Sequence, residues 1–136
     1  PLSDRPAGTD LEQIIQLADA AKFEFVAEPL VYKRIDTNSL GFSDEALQAR
    51  FDILKDYNKL YNAHPDRVRQ KALANAHETI GQTLLQRHIW SAHAIAAFAT
   101  SLWYRPDFGP CPLAEALASV FGRPGWIAAR AIDQWI

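Results

Sequence analysis

Four histidines, His64, His77, His88 and His93, are the side chains of this sequence most often recruited for metal or proton chemistry. A metal held on one helix needs two imidazoles three or four residues apart, so that both lie over the same point of the surface. None of their six pairs has that spacing. His77 and His88 return to the same helical face, but about 16 Å apart along the axis, and cannot share an ion. His88 and His93 point to different faces. What is open to them as ligand-binding residues is a pocket between helices, with a single axial bond to a haem as the one cofactor role. The other reading of the same residues is a core histidine hydrogen-bonded to a neighbour.

Nucleophilic and hydrolytic chemistry finds less support. Cys111 stands between Pro110 and Pro112 in a turn-rich connector, without the adjacent histidine or base that would make its thiol a thiolate. It reads as an inert structural residue. The sequence holds no GxSxG, no HExxH and no glycine-rich phosphate loop. No catalytic residue is assigned, no cofactor is called for, and the chain reads as a binding protein more than an enzyme.

The C-terminal stretch FGRPGWIAARAIDQWI, Phe121 to Ile136, is the better candidate for function. On a helix, Trp126, Ala129, Ile132 or Asp133, and Ile136 form one stripe, with Trp135 to its side. Tryptophan and arginine are the residues most concentrated in the energetic centres of interfaces. Arg123, Trp126, Arg130 and Trp135 are therefore the expected partner-binding residues, the alternative being that both indoles close the core. The partner would be another protein or a second copy of the chain.

Asp107 in PDF and Arg123 in GRPGWIA support one more reading. Together these two stretches are similar to the end of the citrate synthase small domain, where an Asp-Phe and a later Arg before Gly-Trp contribute to the active site. The resemblance implies a catalytic base at Asp107 and a carboxylate clamp at Arg123. The match departs from the family at Ala129, where a histidine usually follows, and in the shorter run from Asp107 to Arg123.

The elements that must position these residues read as helices throughout. Thr9, with Glu12 three residues on, has the form of a capping box at the start of a first helix that Pro29 should end or kink. Ser43 precedes a second helix, with Leu47, Phe51, Leu54 and Tyr61 along one stripe. Pro65 opens a long helical pattern that continues to Tyr104, with a kink or break expected near Gly81. Between Arg87 and Arg105 the only ionisable groups on basic or acidic side chains are His88 and His93, and apolar residues occupy every face of the wheel. That pattern predicts a central helix over about residues 84–104, buried all round, with Ile89, Ile95, Phe98 and Leu102 lining it. Gly122 is placed to end a short helix in a left-handed cap, and Pro124 to start the last one.

The expected fold is thus an all-α, irregular bundle of five or six helices in a single domain over residues 1–136, with residues 1–8 as a flexible N-terminal segment. A chain of 136 residues can bury about two thirds of its surface, and needs no disulfide or metal staple. A net charge of −2 without any basic cluster argues against nucleic acid. The charge-free stretch is shorter than a bilayer requires and is interrupted by Ser91, His93, Thr100 and Ser101, which argues against a membrane span. A lone cysteine, and a first stretch without the form of a secretory signal, fit a reducing cytoplasm.

Overall fold

The computed structural model describes residues 7–24, 28, 43–64, 66–105 and 110–133. The chain is all-α, a bundle of packed helices. Among the described residues there are seven: α1 (Thr9–Ala20), α2 (Asp44–Asp56), α3 (Asn58–Ala63), α4 (Asp66–Arg87), α5 (Ala92–Tyr104), α6 (Pro110–Ser119) and α7 (Gly122–Asp133). They fall into two compact units, Pro1–Ile53 and Leu54–Ile136.

In the first unit the start of α1 differs from the capping box expected of Thr9. Thr9 is already helical, and the cap is Gly8, in a left-handed conformation and with no side-chain bond. Glu12 is buried, and its amide bonds the Gly8 carbonyl oxygen at 3.0 Å. Ala7 is buried as well, and Gly8 lies against Ala49 and Ile53 of α2. Residues 7 and 8 thus pack within this unit; residues 1–6 lie outside the described ones, as do Pro29 and Pro65. Ser43 caps α2 as its position suggested, its Oγ accepting from the Ala46 amide at 3.1 Å.

In the second unit α4 packs on α3, α5 and α7, while α6 packs on both α5 and α7. The expected central helix over residues 84–104 is not continuous. Helix α4 ends at Arg87, and α5 starts afresh at Ala92 behind Ser91, whose backbone is extended and whose Oγ accepts the Ala94 amide at 3.3 Å. The physical reason is length. An unbroken helix from residue 66 to 104 would run nearly 60 Å, about twice the diameter of a small domain, and could bury little of itself. Folding back at residues 88–91 lets α5 lie on α4.

Gly81 marks that contact and does not break α4, which runs through it. A Cβ there would sit 2.8 Å from the ring of Phe98, so the bare backbone is what admits the α5 phenylalanine to the face of α4. Phe98 is 2% exposed and forms the core with Leu85, Ala94 and Trp126, flanked by Leu84 and Ala116. Burial of α5 is one-sided. Ala94, Ala97, Phe98 and Ser101 face inward, Ile95 and Leu102 are half-buried, and Ile89 of the break and Trp103 are exposed. The connector after Arg105 is also shorter than the prolines suggested, because Pro110, Cys111 and Pro112 form the first turn of α6, a position where proline's missing amide costs nothing.

Partly buried ion pairs join elements of this unit. Arg105, at the end of α5, pairs with Glu78 of α4. Glu115 of α6 accepts the Trp126 indole N–H at 3.1 Å and lies 3.8 Å from the Arg130 guanidinium, which itself covers the Trp126 ring at 5.3 Å. Glu78 and Glu115 thus act as joints between helices.

Candidate interaction surface

The break after α4 and the turn between α6 and α7 meet at one corner of the second unit. Helix α6 ends at Ser119, and Val120 and Phe121 continue for one tight turn, bonding back to Leu117 and Ala118. Gly122 then reverses the chain with φ at +71°, the left-handed conformation expected of it. The reversal brings the Arg123 amide to the Ile89 carbonyl oxygen at 2.7 Å, and the Trp90 indole N–H donates to the Val120 carbonyl oxygen at 3.1 Å. These two crossed bonds clasp the α4–α5 break to the α6–α7 turn. Any side chain at residue 122 would collide with the Ile89 carbonyl oxygen and press on Trp90.

What the clasp presents to the outside is apolar. Ile89 is 76% exposed, Trp90 57% and Phe121 78%, and Leu117 and Val120 beside them are exposed as well. Single exposed apolar residues are ordinary, whereas a group of large ones held by a common scaffold marks a surface built for contact. Its backbone is fixed before any partner arrives, which lowers the entropy lost on association.

The residues expected to carry function are distributed unevenly around this corner. Arg123 is exposed and sits in it. Trp126 faces the other way, 5% exposed in the core, its N–H satisfied by Glu115. Arg130 is half exposed over the Trp126 ring. Trp135 lies outside the described residues, as does Asp107. His88 belongs to the break and His93 to the first turn of α5; both are exposed, and neither lines the narrow crevice formed by Glu78, Phe98, Ser101, Leu102, Pro112 and Glu115. The enclosed setting that a ligand role for His88 or His93 relied on came from the continuous buried helix, which the break removes. His77, by contrast, is half-buried and stacked on Tyr104 with ring centres 5.7 Å apart, and burial lowers its pKa below the usual 6.5. Among the described residues no three of His, Cys, Asp and Glu gather as a metal ion would require.

Sequence reasoning missed Ile89 and Trp90, because an apolar run was read as wholly buried, and it did not name Phe121 among the binding residues of the C-terminal stretch. The signal that could have found the first two is Ser91, a strong N-cap residue set before the run HAIAAF. It announces a helix start, and hence a loop carrying Ile89 and Trp90.

Compared with protein-family models, with curated proteins and with solved structures, the chain has no match in any of the three. The similarity to citrate synthase at Asp107 and Arg123 gains no support from them. No helix among the described residues is long and apolar enough to cross a membrane.

Proposed function

We propose that this chain is a non-catalytic, all-α binding module that works through another protein, as an accessory or regulatory subunit or as an oligomer of itself. One observation carries the reading: Ile89, Trp90 and Phe121 stand exposed on a corner whose backbone is already locked by two hydrogen bonds. Aromatic anchors on a rigid frame, with an arginine at the edge, are the composition of an interface centre. The module operates in the cytoplasm on this reading, since a single cysteine leaves no internal disulfide to maintain.

The reading is tested by replacing Phe121 with Asp and comparing the two proteins by sedimentation and by recovery of complexes from the source cells. The wild type should travel in an assembly that Phe121→Asp dissolves, with helical circular dichroism retained in both. A wild type that stays monomeric at all concentrations and in its native extract would sink the proposal.

A further inference from the structure

The size and composition of the clasped corner say what covers it. Ile89 and Trp90 are tied to the α6–α7 turn by the two crossed hydrogen bonds, and Leu117 and Phe121 lie within one turn of Val120, so the five residues belong to one surface. At exposures between 52% and 78% they leave about 700 Å² open to solvent. The largest apolar patch on a typical monomer is about 300 to 600 Å². Residues 89–90 and 117–122 carry no charged side chain. An interface with a separately living protein is, taken whole, about as apolar as ordinary surface, whereas homodimer interfaces are more so.

Resting on the binding role proposed above, we infer that the occupant of this corner is the same corner of a second copy of the chain, related to the first by a two-fold axis. Self-pairing sets each patch against its own image. Two such patches bury about 1,400 Å² between them, within the roughly 1,200 to 2,000 Å² of specific, stable interfaces. The pairing puts no charge at its centre, and Arg123, exposed at the edge of the patch, belongs to a wet rim where water and salt screen it. The core at Leu85, Ala94, Phe98 and Trp126 is separate from these residues, so dilution parts the copies into folded chains.

The purified full chain is followed by sedimentation equilibrium across the micromolar range, and a parallel sample carries a photo-reactive phenylalanine analogue at Phe121. The expected result is a reversible dimer, with an adduct of twice the chain mass that joins Phe121 to residues 89–90 or 117–122 of the other copy. Phe121→Asp should weaken the dimer at least about thirtyfold, as loss of an interface anchor predicts, with helical circular dichroism retained. Trp103→Asp adds the same charge at an exposed tryptophan in the last turn of α5, and should weaken it by less than about threefold. A dimer that Phe121→Asp leaves intact, that Trp103→Asp weakens equally, or whose adduct maps elsewhere overturns this inference. So does a wild type that is monomeric when pure yet travels with a different protein in its native extract, an outcome that leaves the binding role standing. A wild type monomeric in both settings overturns both.

Discussion

Gly122 is held at φ +71° with the Ile89 carbonyl oxygen where its Cβ would be. Alanine there meets both a left-handed backbone and a collision, and either alone typically costs 1 kcal/mol or more. Gly122→Ala should lower stability by about 2 to 4 kcal/mol in urea titrations, and should loosen the Trp90 and Arg123 bonds that depend on the turn. A loss below about 0.5 kcal/mol, the size of an ordinary surface change, would show that the clasp is not needed to hold the fold. His77 offers a second test at this scale. Burial lowers its pKa below 6.5, so the unfolded chain binds its proton more readily than the folded one. The stability this group contributes is intact above the unfolded value and is lost as pH falls through 6.5 toward the folded value. Between about pH 7.5 and 5.5 the urea midpoint should fall in the wild type and fall less in His77→Gln; parallel slopes would remove His77 from the account.

Pairs of elements are governed by the contact of Gly81 with Phe98. On an isolated helix Gly81→Ala would stabilise by about 1 kcal/mol, yet here the added methyl enters the space of the Phe98 ring. Overpacking of this kind costs about 1 to 3 kcal/mol, so the substitution should be neutral to destabilising. Phe98→Ala should cost about 3 to 5 kcal/mol through lost burial and a cavity. In the double variant the two effects should fail to add, because the truncated side chain leaves room for the new methyl; strict additivity would mean that α4 and α5 do not meet there. The same pair shows how much of the fold was legible. Helical periodicity, the Ser43 cap and the left-handed Gly122 could be read from neighbouring residues alone. The role of Gly81 could not, since a glycine reads as a breaker until one knows that a phenylalanine seventeen residues later lies across it. The break at residues 88–91 was written locally, in Ser91, but was masked by an apolar run that suits a buried helix and a helix–loop–helix corner equally.

For the molecule as a whole, the core and the proposed contact surface reside in different places. The core of the second unit gathers at Leu85, Ala94, Phe98 and Trp126, whereas Ile89, Trp90 and Phe121 point away from it. Phe121→Asp should therefore change unfolding free energy by no more than about 0.5 kcal/mol, in contrast to Phe98→Ala; comparable losses from the two would make the corner part of the core. Of the residues expected to meet a partner, the C-terminal helix sends Trp126 inward to close the core and leaves Arg123 exposed at its start. This division also gives the protein an optical reporter. Trp126 sits in a dry, hydrogen-bonded setting, while Trp90 and Trp103 face solvent. With Trp135 changed to Phe, emission should separate into a component that acrylamide quenches and a blue-shifted one that it does not reach. A partner seated on the corner should shield Trp90 while leaving Trp103 open, and Trp90→Phe should abolish that change, so occupancy can be followed by light without attaching a label.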